Sequence, residues 1–254
     1  MRMEARWLGL IMALTLGLAL GLGLYTAGAV RAPDTIKPLG LFYIEETFFG
    51  NMTAMSPEAV TAIVWDYRGL DTVYETSVFF LAVVAGLAVF RVSGIPARRQ
   101  GLGLTEIART STKIIVVLIV VVSASIALHG HLTPGGGFQG GSALAIAPLL
   151  VIPVFSYWAL ISRGLSPTLL VALRGLALTA IGLVAVLPIV KGLEVVSNIR
   201  FYPAYILGQL VSGSLFLYNT FEYIAVATGF TAVFLYLSFE EEFYREETEG
   251  GSHE

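Results

Sequence analysis

Apolar residues along this chain come in long blocks, not at the spacing of one helix face. Residues 7–30, 70–91, 112–128, 137–161, 168–190 and about 212–238 are aliphatic and aromatic with few charges. A helix rises about 1.5 Å per residue, so roughly 20 such residues cross the hydrocarbon core of a bilayer. Lipid offers backbone groups no hydrogen-bond partner, so runs of this kind are helical. A soluble helical bundle would show polar faces at the helical period, and a run such as "IIVVLIVVVSASIAL" has none. The pattern predicts an all-α, polytopic membrane protein with six transmembrane helices. The first block follows a basic "MRMEAR" and resembles a signal peptide, but its apolar core exceeds the roughly 7–15 residues of a signal. It reads as the first span.

Between the blocks lie three polar stretches. Residues 31–56 are predicted to lie on the membrane surface or against a neighbour. In "SPEAVTAIVWDYRG", Ser56 reads as an N-cap, Pro57 as the first helical residue, and Gly69 as a break before the second span. The connection "RVSGIPARRQGLGLTEIARTSTK" reads as a junction. The domain reading is therefore 1–95 with two spans and an outer loop, a linker at 96–111, four spans over 112–240, and an acidic tail at 241–254.

Charge adds orientation. Arg2, Arg6, Arg91, Arg98, Arg99, Arg109, Lys113, Arg163, Arg174 and Arg245 fall on one side of six alternating spans. Arg31, Lys37, Lys191 and Arg200 fall on the other. Cytoplasmic loops carry the excess of Lys and Arg, which predicts that both termini are cytoplasmic. Arg174 and Lys191, near opposite ends of the fifth span, are expected to snorkel. The chain has 56% hydrophobic and 13% charged residues, a net charge of −3 and no cysteine. Thiolate metal sites, iron–sulfur ligation and disulfides are excluded, and nothing points to nucleic acid.

Two polar clusters stand out. "LHGHLTPGGGFQGG" (128–141) holds six glycines, two histidines and a proline. Its "GGGFQG" matches a dinucleotide fingerprint by letters alone, because a span precedes it and no acidic residue follows about 20 positions on. His129 and His131 are too few for a metal site, as the only other histidine is His253 in the tail. Pro134 is expected to end the third span, and the glycines to supply unusual dihedrals. Six glycines beside Gln139 further suggest backbone packed closely on backbone at membrane depth, which is tolerated only inside protein or along an aqueous cavity. The second cluster, "WDYRGLDTVYETSVFF", places Asp66, Arg68, Asp71 and Glu75 at the start of a span, with Arg68 able to pair with Asp71 and with Asp71 and Glu75 on one face. Glu222, with Asn219 one turn before it, is another acid inside a span. Intramembrane acids are costly and mark ion pathways by default, although interfacial snorkelling is an equal reading for Asp66 and Arg68.

At these motifs the sequence resembles known subunits. "GHLTPGGGFQGG" resembles the signature of the MrpB (MnhB) family of multisubunit Na+/H+ antiporters. "VTAIVWDYRGLDTVYE" resembles the C-terminal segment of MrpA, which is also found as a small subunit of membrane-bound hydrogenases. Asp66, Arg68, Gly69, Asp71, Thr72 and Glu75 fit that family's pattern, and Tyr74 departs from its usual glycine. The resemblance implies a fusion of the two. It also implies that Glu75 is the functional acid, that His131 is the signature histidine, and that His129, Pro134, Gly135, Gly136, Gly137, Phe138 and Gln139 form a loop wedged between subunits. The expectation is a non-catalytic subunit of a Na+/H+-translocating complex in the cell membrane, within an antiporter or an archaeal respiratory complex, with no cofactor of its own. Na+ and H+ would be the transported ions, and other Mrp-type subunits and the lipid bilayer the partners. Asp66, Arg68, Asp71, Glu75, His131 and Glu222 are the candidate ion-translocation residues. An autonomous cation channel or transporter is the alternative. An intramembrane enzyme lacks any motif with catalytic spacing.

Overall fold

The computed structural model describes residues 2–29, 35–90, 95–96, 104–199, 204–240 and 243–244. Expectations that fall on Arg31, on Arg91, Arg98 and Arg99 in the linker, on Arg200, or on Arg245 and His253 in the tail lie outside them. Residues 1–42 form one compact unit and residues 43–254 a second.

The first unit holds α1 (Arg2–Thr26) and the start of α2 (Pro38–Glu46). From Trp7 to Thr26, α1 is exposed around its whole circumference. An aliphatic helix with no polar face is stable in that state only in hydrocarbon.

In the second unit a short α3 (Ala59–Ala62) runs into one π-helical turn, Ile63–Tyr67. The four remaining long helices of the chain's last two-thirds follow α4 (Gly69–Phe90): α5 (Glu106–Leu128), α6 (Gly137–Phe155), α8 (Pro167–Val186) and α9 (Leu215–Leu237). A single turn, α7 (Trp158–Ile161), separates α6 from α8. A 3₁₀ turn (Leu187–Lys191) and a hairpin of β1 (Tyr205–Ile206) with β2 (Gln209–Leu210) precede α9. With α1, six helices among the described residues are long and apolar enough to cross a membrane. Helix α9 is the centre, packing on α6 and α8, while α5 packs on α6. Trp65 stacks flat on Tyr218 at 4.5 Å, and this pair anchors the π turn to the α8–α9 core.

Several boundaries differ from the hydropathy blocks. The fourth span ends at Phe155, because Ser156 adopts φ 76 and turns the chain away before an equally apolar "YWALI". The third begins at Glu106, where the Thr105 hydroxyl accepts from Ala108 N–H. It ends at Leu128, well before Pro134. Glu58, not Ser56, caps α3 through Thr61 N–H, since the Ser56 hydroxyl is committed to the His131 carbonyl at 2.7 Å. The break before the second span lies at Arg68, φ −129 and ψ 27, and Gly69, expected to make it, is the first residue of α4.

Candidate functional site

The π turn, the glycine loop and the first turns of α4 and α9 enclose a cavity of about 250 Å³. Glu75 stands at its exposed mouth and Glu222 at its buried back. Glu75 lies six residues into α4 and Glu222 seven into α9, so each is about 10 Å from the start of its helix. Between them are Gln139, Asn219, Thr72 and Thr76. The Thr72 hydroxyl is turned to the Val64 carbonyl and that of Thr76 to the Thr72 carbonyl at 2.8 Å. The π turn makes the first of these bonds possible: Arg68 N–H reaches back to Ile63, and Val64 accepts from a side chain. Single π turns of this kind are frequent at functional sites.

Glu222 has a second task. The N-cap of α6 is Gly136, which has no side chain, so the helix starts with orphan N–H groups. Glu222 Oε2 accepts from Phe138 N–H at 3.1 Å and supplies the cap from α9. A carboxylate facing a helix N-terminus meets the positive end of its dipole. The glycines permit this approach. A Cβ at Gly137 would run into the Asn219 carbonyl oxygen and lie 2.6 Å from Glu222 Cβ, and one at Gly140 would lie 2.7 Å from the Ser123 carbonyl oxygen. Gly136 itself sits at φ 143. Close packing of backbone on backbone, expected from the six glycines, is present.

Of the other candidate residues, Gly135, Gly136 and Phe138 also line this cavity, and the rest lie elsewhere. Arg68 and Asp71 pair with each other on the surface, 64% and 62% exposed. Asp66 accepts from Asn198 N–H at 2.8 Å. Asn198 also bonds Ala54 and Ser214 and ties three loops together. His131 is 2% exposed; its Nε2 donates to the Leu210 carbonyl at 2.9 Å, which fixes the proton on that nitrogen. Burial pushes its pKa below the usual 6.5, with the Leu210 bond opposing and the charge of His129 assisting. His129 is exposed, its ring 3.1 Å from the Ser125 carbonyl. Pro134 is exposed, and Phe138 meets Phe79 edge-on.

Arg174 does not snorkel. It is 3% exposed, donates Nη2 to the Phe79 carbonyl at 3.1 Å, and lies 5.1 Å from the ring centres of both Phe79 and Phe80. It fits because residue 229 is glycine: a Cβ there would be 2.6 Å from Nη1. Hydropathy gives only its distance from a helix end, and Gly229 was the available signal.

Residues 107–232 match the family described as a domain related to the MnhB subunit of Na+/H+ antiporter. The chain carries an MnhB-type domain. Glu222, Gly135, Gly136, Phe138 and Gln139 come from within it, whereas Glu75 and the π turn precede it. An uncharacterized protein of Methanocaldococcus jannaschii is 33% identical over 116 residues, covering 39% of this chain and 44% of that protein. The match thus spans less than half of that relative. Among solved structures, a chain of the membrane-bound sulfane sulfur reductase, an archaeal respiratory membrane complex, superposes with TM-score 0.71 at 27% identity, covering 93% of this chain and 99% of that one. A chain of the Mrp complex from Dietzia sp. DQ12-45-1b superposes with TM-score 0.67 at 20% identity, covering 94% of this chain and 26% of that one. At that identity the second likeness is one of fold. Both superpositions extend beyond the MnhB-type domain.

Proposed function

We propose that this chain is a non-catalytic subunit of a Na+/H+-translocating, antiporter-type complex, in the setting of an archaeal respiratory membrane complex. The observation that carries this reading is the pair Glu75 and Glu222 on one cavity, with Glu75 exposed on a membrane-spanning helix. An ionisable group facing hydrocarbon costs several kcal/mol, so the mouth of the cavity is where another subunit docks. Two carboxylates with the amides of Gln139 and Asn219 offer oxygen ligands to a hard cation, and either carboxylate can hold a proton in its place. His131 braces the loop, and Asp66 anchors the π turn. Arg68 and Asp71 pair with each other on the exposed start of α4.

The domain division at residues 96–111, the origin of residues 1–95 in an MrpA-like segment, the cytoplasmic placement of both termini and residence in the cell membrane belong to the same proposal. The MnhB-type match and the sulfur reductase likeness support it. Purification of the tagged full chain in mild detergent tests it. Co-purification with larger antiporter-like polytopic proteins is the expected result. A homo-oligomer that moves cations alone in liposomes would overturn the reading in favour of an autonomous channel.

A further inference from the structure

A second cavity, about 620 Å³, lies on the other side of α6, between α5, α6, α7 and the last half of α9. Its walls are apolar: Val116, Val120, Pro148, Val151, Leu160 and Leu170 are typical. Two of its threonines turn their hydroxyls back onto their own helix. Thr228 donates its hydroxyl to the Ile224 carbonyl at 2.6 Å and Thr231 to that of Ala227 at 2.7 Å. Depth along α5 from Lys113 to Val120 is about 10 Å, most of one leaflet's share of a roughly 30 Å core.

One end differs. Lys113, immediately before the apolar run of α5, and Arg163, in the turn after α7, both line the rim and both are exposed. Arg163 is held there by Nη1 donating to the Ala159 carbonyl at 2.8 Å, which leaves the planar fork only partly used. Among the described lining residues there is no Asp or Glu. Two cations above a hydrocarbon slot complement a molecule with a phosphate at one end and a hydrocarbon chain at the other. A neighbouring helix would satisfy the slot only if it also brought a carboxylate to the rim.

We infer that this cavity is a binding site for one anionic phospholipid, its hydrocarbon chain between α5 and α6 and its phosphate on Lys113 and Arg163. The site is independent of the acid cavity and does not rest on the proposed function. Two cations near an anionic headgroup, at about 1 kcal/mol each, correspond to roughly a thirtyfold preference over a zwitterionic lipid.

The full chain, with whatever co-purifies, is reconstituted in nanodiscs of phosphatidylcholine containing a minor share of phosphatidylglycerol. A photoreactive p-benzoylphenylalanine replaces Val117 on the cavity wall. The expected adduct is lipid, enriched in phosphatidylglycerol well beyond its share of the bilayer. In Lys113→Gln/Arg163→Gln that enrichment falls at least about tenfold. Mass spectrometry of tightly held lipid in Val120→Trp, which fills the slot, provides a readout without the photoreactive group, and phosphatidylglycerol is lost there too. Adducts in proportion to the bilayer, a protein helix as the adduct, enrichment that survives the double substitution, or undiminished phosphatidylglycerol in Val120→Trp would each overturn the assignment.

Discussion

Glu222 is asked to do two things, and substitutions separate them. Glutamine keeps an oxygen for Phe138 N–H, 3.1 Å away in the native protein, and removes only the charge facing the α6 dipole. That interaction is worth about 0.3–1 kcal/mol, up to about 2 in partly buried geometry. Alanine removes the acceptor itself and leaves a part-buried N–H at the head of α6 without its partner, costing up to about 1–3 kcal/mol in addition. Glu222→Gln is therefore expected to assemble with a melting temperature near that of the native complex, and Glu222→Ala to melt clearly lower. Both should stop Na+-dependent proton movement in proteoliposomes, because neither side chain exchanges a proton for a cation. Thermal melting of the purified assembly, ranked across the three proteins, reads the first effect and a pH-sensitive dye reads the second. An alanine variant no less stable than the glutamine variant would refute the capping argument. Native transport rates in Glu222→Gln would refute the role in exchange.

Three further outcomes are expected. Glu75→Gln should leave the complex intact and abolish Na+-dependent proton movement; near-native rates would remove Glu75 from the path. Gly136→Val, strained by φ 143 at about 1–3 kcal/mol, and Gly137→Ala, driven into the Asn219 carbonyl, should both reduce recovery of assembled complex; full recovery of either would mean that the loop is an ordinary exposed turn. For His131, the buried ring has its pKa below 6.5, so its contribution to loop stability is complete above about pH 6.5 and declines as the pH falls, when the undocked loop takes up the proton first. Hydrogen exchange of residues 128–141 should accelerate on acidification, and His131→Gln should keep the native pH profile of transport; a flattened profile would make His131 a titrating group.

The spans were legible because a bilayer selects for hydropathy alone, and hydropathy is a property of the sequence taken in order. Their ends were less so. Residues 157–161 are as apolar as the helix before them, and only the backbone at Ser156 stops it. The polar first turn of α5 is invisible to hydropathy, although Thr105 stands where an N-cap is expected. The two acids at the cavity were each visible as charges inside apolar runs, and the Arg68–Asp71 pair followed from helical spacing. Their grouping was not visible: nothing in the order of residues says that Glu75 and Glu222 share a cavity while Asp66 bonds Asn198. Thr72, Gln139 and Asn219 stand out separately in the sequence and Thr76 does not, since the four become a group only through tertiary packing.

Arg174 bears on how such a chain is made. An arginine inside a span raises the cost of inserting that helix, by up to about 2.5–3.5 kcal/mol at the centre, and α8 carries one seven residues from its start with no carboxylate bonded to it among the described residues. Its hydrogen-bond acceptor, the Phe79 carbonyl, lies 95 positions earlier, on α4. In N-to-C synthesis α4 therefore leaves the ribosome before α8. One continuous polypeptide also keeps that acceptor close, at the high effective concentration of a tether. Cut in the connection between α4 and α5, the same two pieces would have to find each other in the bilayer before α8 could shelter its guanidinium.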